Sequence, residues 1–81
     1  MTSTNYTVGS GSQKMIMRGG GDTGYFIGTG DGIFKSGGST GMSVNSAGKI
    51  LKNGSETGYV ISGSSIMEES DKGYNIDWMF N

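Results

Sequence analysis

The acidic residues near the C-terminal end come closest to a catalytic arrangement. Glu68, Glu69 and Asp71 could supply two carboxylates for general acid and base catalysis. Consecutive acids in a polar stretch are more often a solvated loop, so we interpret them as loop residues. The sequence contains no histidine and no cysteine, which removes Ser-His and Cys-His nucleophilic catalysis. We therefore expect no enzymatic activity and no catalytic residues.

Two glycine-rich segments, residues 9–14 and 28–32, have the composition of phosphate-binding loops. Neither completes the Walker pattern or G-x-G-x-x-G, and neither precedes a helix whose N-terminus could hold a phosphate. Segment 20–24 suggests a calcium-dependent β-roll as one alternative. Such a roll needs an aspartate in every turn, whereas the position of Asp22 holds Ser39 and then Glu56 in later copies. We expect no cofactor and no metal site.

Aromatic side chains offer a second alternative, a carbohydrate-binding adhesin. Tyr25, Tyr59, Tyr74 and Trp78 could stack on sugar rings, with a cell-surface glycan as the partner. Packing in a core or between chains is the simpler interpretation of the same residues.

The charge balance bears on the other partner classes. Six Lys and Arg residues face seven Asp and Glu residues, for a net charge of −1, so no field of one sign attracts nucleic acid or an anionic membrane. No apolar run approaches the roughly 20 residues of a membrane span. We expect a soluble protein made in the cytoplasm, with neither nucleic acid nor membrane as a partner.

The elements that must position these residues follow from an internal repeat. Ile16, Ile33 and Ile50 are spaced 17 residues apart. The same spacing relates further columns: Gly20/Gly37/Gly54, Thr23/Thr40/Thr57, Gly24/Gly41/Gly58 and Ile27/Val44/Ile61. A fixed period of this size is typical of repeat proteins, in which each unit buries its apolar face against its neighbours. The threonine column is interpreted as connection residues.

The repeat predicts one all-β domain, residues 1–81, of glycine-rich tandem strand-turn-strand units of about 17 residues. The predicted units are residues 5–23, 24–40, 41–57 and 58–72, followed by a terminal strand at 73–81. Asp31-Gly32 is predicted to form a hairpin turn, because a type I′ turn needs positive φ at both central residues. Frequent glycine predicts no helix, and residues 74–80 alternate as a half-buried strand.

Each unit carries only a narrow apolar stripe. Leu, Ile, Val and Phe together number 14 of 81 residues, and small chains need disulfides, metal or oligomerisation to be stable. Because the sequence has no cysteine and no histidine, we expect oligomerisation to stabilise this chain. The residues expected to be buried against other copies or a partner are Ile27, Ile33, Val44, Ile50, Ile61, Tyr74, Ile76, Trp78 and Phe80.

The units at residues 24–33 and 41–50 resemble the shaft repeats of viral and bacteriophage fibres. In the triple β-spiral, each repeat has an extended strand, a turn and a second strand, and three chains wind together. The resemblance implies a fibre-like β-spiral or β-prism homotrimer located in the virion. It implies a structural role as a short fibre, spike, or capsid or tail decoration protein that docks to other virion proteins. A monomeric small barrel stays open as an alternative, since five strand pairs are enough to close one.

Overall fold

Alternating apolar and polar residues give the chain eight strands, each with one face turned inward. The computed structural model describes residues 1–11 and 14–80. The strands are β1 (Thr2–Val8), β2 (Lys14–Arg18), β3 (Gly21–Ile27), β4 (Gly32–Lys35), β5 (Gly38–Val44), β6 (Lys49–Lys52), β7 (Ser55–Ser62) and β8 (Ser65–Glu68). A short helix, α1 (Ile76–Met79), follows them. The predicted all-β class is confirmed.

The strands form a closed antiparallel barrel in sequence order. Each strand pairs with the next, as β1 does with β2 through Tyr6 and Arg18. The barrel closes where β1 pairs with β8, with Thr2 opposite Glu68. Closure leaves no strand edge free within the barrel, which removes the edge available for pairing with other chains.

The core is built from equivalent positions on successive strands. One isoleucine on each even-numbered strand has no exposed surface: Ile16, Ile33, Ile50 and Ile66. The odd-numbered strands contribute one larger buried side chain each: Tyr6, Tyr25, Met42 and Tyr59. Small eight-stranded barrels have interiors that side chains fill. Ile33 and Ile50 are therefore buried within a single chain, which corrects the expectation that they pack against other copies.

The two ends of the barrel carry different connections. At one end, Gly19-Gly20, Ser36-Gly37 and Asn53-Gly54 have positive φ at both residues, as type I′ turns require. At the other end the connections include Thr29–Asp31, which forms a 3₁₀ turn. The predicted hairpin forms, since β3 pairs with β4, but its turn is not Asp31-Gly32. Positive φ falls on Gly30 and Asp31, while Gly32 has φ of −80°.

The predicted terminal strand at residues 73–81 is also wrong, since its described part contains α1. The side chain of Asn75 accepts a hydrogen bond of 2.8 Å from the backbone N–H of Asp77 and so caps the helix. Ile76, Met79 and Phe80 are buried, a spacing of three and four residues that suits a helix. The closed barrel offers no edge on which a ninth strand could pair. No helix of the described residues is long and apolar enough to cross a membrane.

Candidate functional site

An open cup occupies the end of the barrel opposite α1. The odd-numbered strands all run towards this end, so their last inward-facing residues line the cup from below. The cup has a volume of about 860 Å³. Ligand sites are often found in the mouths of β-barrels, and about 300–1,000 Å³ is the usual range of such sites.

Four aliphatic side chains form the floor of the cup. Each comes from the end of an odd-numbered strand: Val8, Ile27, Val44 and Ile61. Val8 and Ile27 are buried, while Val44 and Ile61 are half-buried and pack against the core. The floor is therefore apolar, and Val44 and Ile61 leave part of it open to solvent.

The rim of the cup is polar. Lys14 and Asp31 supply its charges among the described residues, and they lie at the starts of β2 and β4. The remaining rim residues are small or uncharged: Gly9, Ser10, Asn45, Ser46, Gly48, Gly63 and Ser64. A ligand in this cup would contact aliphatic side chains at the floor and hydrogen-bonding groups at the rim.

Hydrogen bonds fix the rim loop between β5 and β6. The side-chain oxygen of Asn45 accepts from the backbone N–H groups of Ala47, at 3.0 Å, and Lys49, at 2.9 Å. The carbonyl oxygen of Gly48 accepts from the N–H of Ile61 at 2.7 Å. Gly48 has φ of +82°, and a Cβ there would lie 2.8 Å from the carbonyl oxygen of Ile61. Glycine is thus required where this loop meets β7.

The other end of the barrel is closed by the C-terminal segment. Phe80 is 3 % exposed, and its ring centroid lies 5.2 Å from that of Tyr25 and 5.8 Å from that of Tyr6. The hydroxyl of Tyr59 donates to the carbonyl oxygen of Tyr74 and accepts from the N–H of Ile76, both at 3.1 Å. These contacts hold the segment in the barrel end opposite the cup.

Tyr6 and Asp77 form a second link between the barrel and α1. The Tyr6 hydroxyl donates a hydrogen bond of 2.8 Å to the Asp77 carboxylate, which also lies 3.5 Å from the guanidinium of Arg18. Burial, together with the hydrogen bond to Asp77, raises the pKa of Tyr6 from 10.0 to about 12. Tyr6 therefore stays protonated and donating across the neutral range.

Comparisons with protein-family models, curated proteins and solved structures found no match. The functional argument therefore depends on the geometry of this chain. Within residues 1–11 and 14–80, no three His, Cys, Asp or Glu side chains come together as metal ligands. The strands are antiparallel and closed, which differs from the parallel stacking of the calcium β-roll considered above.

The residues predicted as an interface are divided between the interior and the two ends. Ile33 and Ile50 lie inside the barrel, and Ile27, Val44 and Ile61 form most of the cup floor. At the closed end, Ile76 and Phe80 are buried and Tyr74 is half-buried, while Trp78 is 78 % exposed. Trp78 is the one of these nine side chains that projects mainly into solvent.

Two of the aromatic residues considered for sugar stacking lie in the core. Tyr25 is 8 % exposed and Tyr59 is 6 % exposed, so neither ring face is open to a sugar. Lys35 lies over the Tyr25 ring at 4.8 Å from the centroid. Tyr25 and Tyr59 therefore cannot be the sugar-stacking residues that the adhesin alternative requires.

Sequence reasoning did not identify the rest of the cup. Val8 completes the floor, but the first unit has a longer turn, so Val8 lies 19 residues before Ile27 instead of 17. Lys14 and Asp31 each lie two residues before a buried isoleucine, Ile16 and Ile33. That shared offset is the signal that could have placed both charges at the same end of the barrel.

Proposed function

We propose that this chain is a non-catalytic binding module whose cup takes an amphipathic ligand. The apolar part of the ligand packs against the aliphatic floor, and its polar part meets the rim near Lys14 and Asp31. The observation that carries the proposal is the half-buried state of Val44 and Ile61 at the bottom of an open cup of about 860 Å³. Covering such a surface removes apolar area from water, which favours binding.

The position of the cup also supports a ligand that enters from solvent. The interior below the floor is filled by fully buried side chains such as Ile16 and Ile33, so the ligand stays at the mouth. The loop from Asn45 to Gly48 is held by hydrogen bonds to the Asn45 side chain and by bonds between backbone groups. This part of the rim is already ordered, so it loses little conformational freedom on binding.

The test uses 1-anilinonaphthalene-8-sulfonate, a probe with an apolar ring system and an anionic group. We expect saturable fluorescence enhancement with the wild-type chain, and at least about tenfold weaker binding with Val44→Asp, which places a charge on the floor. The matched control is Leu51→Asp, since Leu51 is also half-buried but lies on the opposite face of its strand from Ile50. Thermal melts establish that both variants are folded. Equal binding by Val44→Asp and Leu51→Asp would contradict the proposal.

A structural role through docking is the second candidate function. It follows from the resemblance to fibre shafts, which implies a virion component acting by assembly, and the exposed indole of Trp78 favours it. Tryptophan is enriched at protein interfaces because it supplies a large apolar area and one hydrogen-bond donor. In this second proposal the chain docks to itself or to another virion protein through its closed end.

A further inference from the structure

Trp78 is presented to solvent by a helix that is otherwise anchored in the barrel. Its side chain is 78 % exposed, whereas the neighbouring Met79 is 5 % exposed and Phe80 3 %. Among the described residues, Met1 and Trp78 are the large hydrophobic side chains classed as exposed. Tryptophan is enriched among the few residues that supply most of the binding energy at protein interfaces.

Two hydrogen bonds to barrel tyrosines hold the helix that carries Trp78. Asp77 accepts from the Tyr6 hydroxyl at 2.8 Å, and the Ile76 N–H donates to the Tyr59 hydroxyl at 3.1 Å. Trp78 therefore projects from an ordered position, and binding through it orders little more than its own side chain. Preorganisation of this kind favours association.

The surfaces at the two ends are complementary in polarity and in charge. The groove beside Trp78 has a volume of about 550 Å³, and its lining includes the acidic residues Glu68, Asp71 and Asp77. Asp77 is paired with Arg18, so Glu68 and Asp71 supply the negative charge of the groove. The opposite end has the aliphatic cup with the cation Lys14 on its rim. Because Asp31 shares that rim, the favourable charge contact falls on the Lys14 side.

We propose that the cup of one copy binds Trp78 of a second copy, head to tail. This inference depends on the proposed function, because it names the apolar group that the cup takes. The indole packs against the aliphatic floor, and the acidic groove beside it lies against Lys14. The cup and Trp78 are at opposite ends of the barrel, so the contact joins two different surfaces. Such a heterologous contact allows copies to add in a line.

The decisive test is a mixing experiment with two variants that each lose one surface. Trp78→Ala keeps the cup and loses the anchor, whereas Val44→Asp keeps the anchor and loses the cup. We expect the wild-type mass to rise with concentration in sedimentation, and each variant alone to remain monomeric. An equimolar mixture of the two variants should form a one-to-one complex, because one intact cup then meets one intact Trp78.

Fluorescence reports the same contact directly. The sequence has a single tryptophan, so in the mixture all tryptophan emission comes from Trp78 of the Val44→Asp chain. We expect that emission to shift to the blue when the Trp78→Ala chain is added, and Lys14→Glu in the Trp78→Ala chain to weaken the effect severalfold. Ser64→Arg, an exposed rim change, is a second cup variant should Val44→Asp fail to fold.

The outcomes separate this inference from the proposed function. A wild-type chain that stays monomeric at every concentration but binds the naphthalene sulfonate would overturn the self-docking and leave the cup as a small-ligand site. A wild-type chain that neither associates with itself nor binds the naphthalene sulfonate would overturn both proposals. Association of Trp78→Ala with itself as strongly as the wild type would place the contact on another surface and would also overturn the inference.

Discussion

The hydroxyl of Thr57 donates a 2.7 Å hydrogen bond to the carbonyl oxygen of Ile50 on the neighbouring strand. The pairing of β6 with β7 shifts register between Lys49 and Leu51, which takes Ile50 out of the regular ladder. The threonine side chain satisfies the carbonyl there. The same bond recurs around the barrel at 2.6–2.7 Å, from Thr4 to Ile66, from Thr23 to Ile16 and from Thr40 to Ile33.

Replacing Thr57 by valine should destabilise the fold while keeping the side-chain shape. Thr57 has no exposed surface, so water cannot replace the lost donor, and the free energy of unfolding should fall by about 1–3 kcal/mol. Urea unfolding measures the change. Thr40→Val is the matched control, because Thr40 is half-buried and water can reach the freed carbonyl. A loss at Thr57 no larger than at Thr40 would contradict this account.

Two glycines with the same backbone angle should differ strongly in their tolerance of alanine. Gly54 and Gly58 both have φ of +87°, which costs alanine about 1–2 kcal/mol. A Cβ on Gly54 meets nothing within 4 Å, whereas one on Gly58 would overlap the carbonyl oxygen of Ser70. Gly58 also accepts hydrogen bonds from the N–H groups of Glu69 and Ser70 at 2.7 and 3.2 Å.

We therefore expect Gly58→Ala to lower the free energy of unfolding by clearly more than Gly54→Ala, because it also displaces the start of the C-terminal segment. Chemical denaturation of both variants gives the comparison. Equal losses would mean that backbone strain alone governs the Gly58 position.

Truncating two aromatic residues of the C-terminal segment should change stability by very different amounts. Phe80→Ala removes a buried ring that contacts Tyr6 and Tyr25, so it should cost about 3–5 kcal/mol. Trp78→Ala removes a side chain that is 78 % exposed and should change stability by less than about 0.5 kcal/mol. Thermal melts at low protein concentration avoid any contribution from association. Similar melting temperatures for the two variants would show that Phe80 does not close the barrel end.

Stability should fall at alkaline pH through Tyr6. Burial and the hydrogen bond to Asp77 raise the pKa of Tyr6 from 10.0 to about 12, so folding favours the neutral phenol. The unfolded chain releases this proton first, and the stabilisation is complete below pH 10 and is lost as the pH rises towards 12. Urea unfolding at about pH 8 and about pH 11 measures the loss.

Tyr6→Phe is the control for this pH dependence. It should lower stability at neutral pH by about 1 kcal/mol, because the bond to Asp77 is lost, and it should make the alkaline fall smaller. A residual fall is expected, since burial also raises the pKa of Tyr59. An unchanged alkaline fall in Tyr6→Phe would assign the effect to other groups.

Local pattern was enough to predict the all-β class and which strand residues share a face. Alternation places Tyr25 and Ile27 on one face, and both are buried in the barrel. Val44 and Ile61 lie on the apolar face that the sequence predicts to be buried against other copies, and in the barrel they line the cup. These positions depend on the two-residue period of a strand, which the sequence displays directly.

The same local pattern misled at residues 74–80. Apolar residues at 74, 76, 78 and 80 fit a strand, but Met79 is also buried and Trp78 is exposed. Short apolar runs fit both periods. The helix forms because Asn75 caps it and because the closed barrel offers no strand partner.

What the sequence by itself determined was the position of the barrel strands and the shared face of residues such as Tyr25 and Ile27, because both depend on residues a few positions apart. The tertiary structure alone decided that β1 pairs with β8, which joins Thr2 to Glu68. That closure buries Ile33 and Ile50 in one chain, leaves one end open as a cup, and seats Phe80 in the other. Closure depends on the tilt and stagger of all eight strands together, a collective property that no local period contains.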